Sequence, residues 1–492
     1  MRRRSGSMMA MTMALAAMAL ASCGDDGASD VDLGGADVVA DALGDLPADV
    51  PADVPADLPW DPGSPDVVPG GCGLPAYAWL PAAEVGAVVS WEEDPMWAQP
   101  KEILEDAIIG AGFGAAAPLE FGTRMYKIAY TTQDKGVPRR ATALVAVPQR
   151  DDGGAATYPM VMWMHGTSGA SDGCAPSLGI EGNALAALWA ALGYISVAPD
   201  YLGMNAFGAP SEMKHPYLVG EPAAVAGWDA VRAAYALLSS GEITDEPARP
   251  ERRVVPWGAS QGGHAALYAD RLARWYAPEF EVPATIALTP PANLQAQSEI
   301  SIRESRLSMS NLSAFLVASA RYYGHEEVLA TTLTDTEPGH FRTTFPVALD
   351  TRCDFYGTLD GVTAQQEFEA PFLAGLEATG LSGMDPWGCW FQQNSLTTTS
   401  FPRGADAPVL WVMAGADELV DVGIEKGSFT TLCGQGYRMQ YLECQGALHS
   451  QGSFWSMPEQ KAWLKDRLAG KPLAEGTECQ IVPAVQCQGT SN

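Results

Sequence analysis

The sequence predicts an α/β fold with a mostly parallel central sheet and helices on both faces. From about residue 73 onward, short apolar runs alternate with helical patterns, and the 47% of hydrophobic residues in 492 positions is ample for a large core. Strands that are apolar along their whole length are typical of parallel sheets buried on both sides. The runs are residues 141–148, 158–164, 194–199, 252–257, 284–289, 408–414 and 437–443.

The charge is strongly acidic and unevenly distributed. The formal net charge is −30, from 29 Lys and Arg against 59 Asp and Glu. Nucleic acid is therefore not an expected partner, because phosphate binding depends on clustered basic residues. Residues 24–70 contain twelve Asp and no Glu, Lys or Arg. Much of the acidity thus belongs to a separate segment in front of a moderately acidic body.

The N-terminus has the pattern of an export signal. Residues 1–22 combine a basic start with an apolar run that is too short for a stable membrane anchor. The ending Leu20-Ala21-Ser22-Cys23 resembles the lipobox of bacterial lipoproteins, in which the cysteine becomes the lipidated first residue. We expect an exported protein that a lipid on Cys23 anchors in the cell envelope, facing the periplasm or the cell surface. The alternative is an ordinary secretory signal.

Residues 23–71 are predicted to be an unfolded tether, and residues 72–492 the folded domain that follows it. Prolines recur every fourth position from Pro47 to Pro59, separated by Ala-Asp-Val or Ala-Asp-Leu. This spacing forbids helix and favours an extended chain, which like charges stiffen further. The alternative for the Asp ladder is weak calcium binding, although an unfolded backbone points its carboxylates in several directions.

Nine cysteines are present, and eight remain if Cys23 is lipidated. An even number in an exported protein predicts up to four disulfides. Proximity along the chain favours Cys433 with Cys444 and Cys479 with Cys487. No Cys-x-x-Cys pair is present, so no structural zinc is predicted.

The pattern Gly-x-Ser-x-Gly occurs around Ser171 and around Ser260. In a nucleophile elbow, a strand enters and a helix leaves, so that a strained turn lifts the serine hydroxyl above the sheet. Ser260 has both, because the run 252–257 precedes it and residues 263–276, rich in helix formers, follow it. Ser171 is followed by loop-forming residues and is predicted to be structural.

A serine nucleophile requires a histidine base, and the order expected after an elbow serine is acid and then histidine. His449 follows the last apolar run in a loop, as expected of the base. His264 lies on the helix that leaves Ser260 and is predicted to be a packing or surface residue.

The acid should follow the preceding strand, and Asp417 is the first carboxylate after the run 408–414. Glu418 and Asp421 are the alternatives. The acid would fix the tautomer of His449 and stabilise its imidazolium form.

The oxyanion of the tetrahedral intermediate needs backbone donors. One should be the amide of Gln261, directly after the nucleophile. The second should come from the loop after the run 158–164, where Thr167 is the first choice and Gly166 the alternative. His165 precedes the serine in the chain and is predicted to shape this loop.

Four short segments, listed below, occur along the chain in a fixed order with the serine elbow and the Asp and His segments. Together they resemble the secretory lipase family of the α/β-hydrolase fold over roughly residues 75–470. The sequence departs from the family pattern at Ala259, where members often carry an aromatic residue, and in the Asp/Pro tether. The matching segments are residues 165–167 (HGT), 172–177 (DGCAPS), 199–203 (PDYLG) and 215–217 (HPY).

The 157 positions from Ser260 to Asp417 exceed what one strand and two helices require. Residues 292–405 are therefore predicted to be a mainly helical cap, inserted between the sixth and seventh core strands. One alternative is a plain helical lid packed on the body. The resemblance implies instead an acyl-chain groove and an interfacial lid, with Cys174 tied to the cap through Cys353 or Cys389.

The resulting hypothesis is a lipid-anchored serine hydrolase of carboxylic esters, a lipase or esterase that acts on small esters or acylglycerols through an acyl-enzyme. It requires no metal and no organic cofactor. The alternatives are a peptidase or polyester depolymerase on the same fold, or a non-catalytic binding protein of the cell envelope.

Overall fold

A sheet of nine strands runs through the part of the chain that the structure describes. This computed structural model describes residues 78–490 except 111–113, 117, 151, 338, 356–358, 360 and 405. The predicted signal peptide, the tether, Cys23 and Cys72 lie outside these residues. The strands are β1 Val88–Glu93, β2 Gly122–Asp134, β3 Val137–Gln149, β4 Ala156–Met164, β5 Ile195–Pro199, β6 Ala248–Ala259, β7 Thr285–Leu288, β8 Val409–Ala414 and β9 Met439–Cys444.

The strand order is β1-β2-β3-β5-β4-β6-β7-β8-β9. The pairs from β1 to β5 are antiparallel, and all pairs from β5 to β9 are parallel. All seven predicted runs form strands of this sheet, so the mostly parallel α/β prediction is confirmed. The runs do not predict β1 or β2, because polar residues such as Arg124 and Lys127 interrupt the apolar pattern of β2.

Helices cover both faces of the sheet. Strand β4 illustrates this burial, because Met160 and Met162 enter the core on one face and Val161 and Trp163 enter the core on the other. No helix among the described residues has the length and apolar character needed to cross a membrane. The helices are α1 Lys101–Gly110, α2 Ile180–Ala191, α3 Gly220–Ser239, α4 Gln261–Tyr276, α5 Leu294–Glu304, α6 Met309–Tyr323, α7 Phe341–Thr351, α8 Ala364–Glu367, α9 Ala370–Thr379, α10 Trp387–Asn394, α11 Val422–Gly434, α12 His449–Trp455 and α13 Met457–Leu468.

The segment 292–405 lies between β7 and β8 and contains α5 to α10. When the edge strand β1 is left out of the count, these two strands are the sixth and seventh of the sheet in chain order. The segment has its own apolar core, in which Phe315, Phe345, Phe391 and Trp390 are buried. We call it the insertion.

The two disulfides predicted from chain proximity are wrong. The described pairs are Cys174–Cys353, Cys433–Cys479 and Cys444–Cys487. Cys433, near the end of α11, pairs with Cys479 beside Met439 at the start of β9, whereas Cys444 ends that strand. The two ends of the strand are about 17 Å apart, far beyond disulfide reach. The pairing of Cys174 with Cys353, which the resemblance implied as one of two options, is present and joins the loop after β4 to the insertion.

The C-terminal segment explains the observed pairs, because it runs back over the outer edge of β9. The amide of Cys479 donates to the carbonyl of Met439 at 2.7 Å, and the amide of Val485 donates to the carbonyl of Glu443 at 2.9 Å. Cys433 therefore pairs with Cys479, which lies beside the start of β9, and Cys444, at the end of the strand, pairs with Cys487.

Candidate active site

Ser260 occupies a strained turn between β6 and α4. Its backbone has φ 58° and ψ −123°, a left-handed conformation that is costly for a residue with a side chain. Its amide donates to the carbonyl of Leu288 in β7 at 2.9 Å, which ties the turn to the end of the parallel sheet. A serine held in this way is characteristic of a nucleophile elbow.

The glycines on either side of Ser260 allow the turn to pack closely on the sheet. A Cβ atom at Gly262 would lie 2.0 Å from the carbonyl oxygen of Met164 in β4, and one at Gly258 would lie 2.2 Å from the carbonyl oxygen of Gly262. Both contacts are with backbone atoms, which a side-chain rotation cannot relieve. The tight crossing of strand and helix therefore requires glycine at these two positions.

We expect Gly262→Ala to destabilise the protein by about 2–4 kcal/mol, because the new methyl group overlaps the backbone of β4. Urea denaturation followed by tryptophan fluorescence measures this change. Gly173→Ala is the matched control from the other Gly-x-Ser-x-Gly segment. A Cβ atom there meets no described atom within 4 Å, so its effect should stay within about 0.5 kcal/mol. Equal losses in the two variants would contradict the packing argument.

The other serine of this pattern, Ser171, lies in a loop. Its backbone is extended, with φ −139° and ψ 164°, and a short 3-10 helix follows it. Its hydroxyl lies 3.4 Å from Sγ of Cys174, which forms the disulfide with Cys353. Ser171 thus has neither the entering strand nor the strained turn of Ser260.

The side chains of His449 and Asp417 contact each other in a buried position, just beyond the ends of β9 and β8. Nδ1 of His449 lies 2.9 Å from Oδ1 and 2.8 Å from Oδ2 of Asp417. The Asp417 side chain is fully buried, and its Oδ1 also accepts the amides of Leu419 and Val420 at 3.0 and 2.8 Å. Nδ1 of His449 is thereby the donor, so Nε2 of the neutral ring is an acceptor. Among the described residues, Nε2 has no hydrogen-bond partner.

The two alternative carboxylates have other partners. Oε2 of Glu418 accepts the backbone amide of His449 at 2.9 Å, which fixes the start of α12. Oδ1 of Asp421 accepts the amide of Ile424 at the start of α11, and its Oδ2 pairs with Arg306 of the insertion at 2.9 Å. Of the three carboxylates, Asp417 is therefore the one that contacts the His449 ring.

The histidines at 165, 215 and 264 are buried, and one ring nitrogen of each donates to a backbone carbonyl. Burial lowers the pKa of His165 to about 3 and the pKa values of His215 and His264 to about 4. These rings stay neutral at neutral pH and are poor bases. His264 contacts the carbonyl of Asn394 in the insertion, in agreement with its predicted packing role.

The loop after β4 lies directly beside Ser260. A Cβ atom at Gly166 would be 4.0 Å from Cβ of Ser260. The hydroxyl of Thr167 lies 2.8 Å from the hydroxyl of Tyr217, which in turn accepts a hydrogen bond from Nδ2 of Asn311 in α6 at 2.7 Å. The loop is thus linked through Tyr217 to the insertion.

The side chain of Gln261 contacts His215, a histidine for which the sequence predicted no role. Nε2 of the Gln261 side chain lies 2.9 Å from Nε2 of His215, whose Nδ1 donates to the carbonyl of Leu202 at 2.9 Å. This chain of contacts positions the residue that directly follows Ser260. The only sequence signal for it was the HPY segment, residues 215–217.

Ser260 opens into a cavity of about 540 Å³, a size suited to a small organic ligand. His449, Gly166 and Thr167 line the same cavity, and its remaining walls are largely apolar. The apolar lining includes Trp163, Leu185, Trp257, Leu307 and Phe454.

Comparison with known proteins identifies the family. The model of the secretory lipase family matches residues 177–476, more than half of the chain, and this range includes Ser260, Asp417 and His449. The chain belongs to the secretory lipase family. This secretory lipase is therefore a carboxylic ester hydrolase. It is 26% identical over 377 residues to a secreted triacylglycerol lipase of Malassezia globosa, covering 71% of this chain and 73% of that protein.

Solved structures share the fold of this secretory lipase at low sequence identity. The rice cell wall degrading esterase LipA from Xanthomonas oryzae superposes with a TM-score of 0.62 at 18% identity, covering 80% of this chain and 100% of that chain. Candida antarctica lipase A gives 0.57 at 16% identity, covering 83% and 88%. The α/β-hydrolase fold predicted from the sequence is therefore confirmed.

Proposed function

We propose that Ser260, His449 and Asp417 act as nucleophile, general base and orienting acid in the hydrolysis of carboxylic esters through an acyl-enzyme. One observation carries the proposal: the strained serine and the histidine, whose Nδ1 is held by a buried carboxylate, line one cavity. The amides of Thr167 and Gln261 are the proposed oxyanion donors, supported by the position of the 165–167 loop beside Ser260.

In the first half-reaction, Oγ of Ser260 attacks the ester carbonyl carbon while Nε2 of His449 accepts its proton. Asp417 remains ionised and stabilises the imidazolium through Nδ1–H. Nε2 then gives the proton to the leaving alcohol oxygen, which departs as the acyl-enzyme forms. In the second half, His449 deprotonates a water that releases the acid and restores Ser260. These steps are proton and acyl transfers only.

Labelling with a fluorophosphonate probe tests the nucleophile. We expect stoichiometric labelling of the wild-type protein and none of Ser260→Ala, because only an activated serine hydroxyl attacks the phosphorus atom. Ser171→Ala, the matched control in the second Gly-x-Ser-x-Gly segment, should label like the wild type. Labelling that persists in Ser260→Ala, or disappears in Ser171→Ala, would contradict the assignment.

For the N-terminus we propose a signal peptide over residues 1–22, lipid attachment at Cys23 and a tether over residues 23–71 in front of the catalytic domain. The support is the sequence pattern Leu20-Ala21-Ser22-Cys23, together with the secretory family and the secreted relative from Malassezia globosa. Esters or acylglycerols are the proposed substrates.

Metabolic labelling with radioactive palmitate in a bacterial host tests the anchor. We expect the label and membrane association in the wild type and their loss in Cys23→Ser, since the thioether of a lipoprotein forms on that cysteine. Cys72→Ser is the control that should keep the label. A soluble, unlabelled wild-type protein would show an ordinary secretory signal instead.

A further inference from the structure

Two cavities of very different size meet at Ser260. The first is the 540 Å³ cavity, which also contacts His449. The second has a volume of about 50 Å³ and lies between Ser260, Gln261 and the insertion. His449 lines only the first of them. We call them the large and the small cavity.

The chemistry of the proposed mechanism assigns the two cavities to the two parts of an ester. The histidine that takes the serine proton must later give it to the leaving oxygen, so the alcohol part must lie beside Nε2 of His449. The large cavity is on that side. The carbonyl oxygen points to the amides of Gln261 and Thr167, and the acyl chain takes the remaining direction. Of the two cavities that Ser260 lines, the small one is the one that His449 does not line, and we assign it to the acyl chain.

The small cavity has about a tenth of the volume of the large cavity, about 50 Å³ against about 540 Å³, and leaves room for a short chain only. One of its walls is Phe315, which is 1% exposed and packs on Phe391 with ring centroids 4.8 Å apart. A longer chain would have to displace the packed core of the insertion.

Hydrogen bonds hold the polar walls of the small cavity in place. The hydroxyls of Ser301 and Ser308 lie 2.6 Å apart, and Nε2 of Gln297 donates to Oε1 of the buried Glu425 at 2.8 Å. Widening the cavity on this side would break such contacts and leave buried polar groups without partners. The polar side chains that line it are Gln297, Ser298, Ser301, Ser308 and Asn311.

We infer that this lipase selects esters with a short acyl group of about two to four carbons and a larger, apolar alcohol group. The inference rests on the proposed function, because it uses the direction in which His449 delivers the proton. It assigns Ser298 and Leu294, on the walls of the small cavity, as determinants of acyl length. The alcohol group of the substrate would contact the apolar side chains of Trp163, Trp257 and Phe454, which line the large cavity.

The test is the kcat/KM of the full chain for p-nitrophenyl acetate, butyrate, octanoate and laurate, all with the same aromatic alcohol. We expect a fall of about 100-fold or more between butyrate and octanoate. Octanoate hydrolysis as fast as butyrate hydrolysis would overturn the inference and leave the esterase function intact. Failure to hydrolyse any ester, with no fluorophosphonate labelling, would instead overturn the proposed function.

Two variants, with opposite expected effects, test whether the small cavity determines the acyl-length selectivity. Ser298→Leu fills the small cavity and should lower the butyrate-to-acetate ratio of kcat/KM by about 10-fold. Leu294→Ala enlarges it and should raise the octanoate-to-butyrate ratio by about 10-fold. Leu307→Ala, in the large cavity, is the control and should leave both acyl ratios unchanged. The inference is wrong if the acyl ratios of kcat/KM change in Leu307→Ala but stay unchanged in Leu294→Ala and Ser298→Leu.

Discussion

His449→Ala is expected to lower kcat/KM for p-nitrophenyl acetate by about 10⁴- to 10⁶-fold, the largest loss after removal of the nucleophile itself. Without the imidazole, Ser260 must attack as a neutral hydroxyl, and the leaving oxygen has no proton donor. The binding cavity and the proposed oxyanion donors remain, so a small residual rate above that in water should persist. Initial-rate kinetics on purified protein measure the loss.

His325→Ala is the control for this variant. His325 lies in the insertion, and its side chain is 55% exposed, so its loss should change kcat/KM by less than about 2-fold. His325→Ala should keep the wild-type urea midpoint within the error of the measurement, and His449→Ala should remain folded, because Asp417 still accepts the amides of Leu419 and Val420. A His449→Ala enzyme that retains a tenth of the wild-type activity would exclude His449 as the base.

Asp417→Asn is expected to lower kcat by about 10⁴-fold with little change in stability. The asparagine keeps an oxygen that accepts the amides of Leu419 and Val420, so the turn after β8 stays intact. Its amide group, however, donates towards Nδ1 of His449 and selects the tautomer that carries its proton on Nε2. That tautomer cannot accept the proton of Ser260.

Two neighbouring carboxylates provide matched controls for Asp417. Asp421→Asn keeps the acceptor for the amide of Ile424 and lies away from the His449 ring, so kcat should stay within about 3-fold of wild type. Glu418→Gln keeps an oxygen for the amide of His449 and should also have a small effect. The assignment fails if either control loses as much activity as Asp417→Asn.

The sequence was sufficient for the parallel part of the sheet, because each central strand is buried on both faces and reads as an unbroken apolar run. Strand β4, with Met160 and Val161 in opposite cores, is the clearest case. Strand β2 was missed because it carries charged residues such as Arg124, which pairs with Glu93 at the sheet edge. Strand β2 forms because it pairs with β1 and β3, and its own amino-acid composition does not predict it.

The candidate site was predictable because its residues directly follow strands. Ser260 follows β6, Asp417 lies just beyond β8, and His449 follows β9, so chain order alone brings them to one edge of a parallel sheet. The side-chain links among Thr167, Tyr217 and Asn311 were not predictable. They depend on how the insertion folds back over the loop after β4, and no spacing along the chain records that path.

Both edges of the nine-stranded sheet carry features that disfavour strand addition from another molecule. The edge strand β1 carries Glu92 and Glu93, and charged residues disfavour pairing with a second chain. The opposite edge, β9, is occupied by the C-terminal segment, which Cys433–Cys479 and Cys444–Cys487 hold in place. Reduction of these bonds would free the segment and leave β9 open as a template. We therefore expect the two C-terminal disulfides to limit self-association of the folded lipase as well as its unfolding.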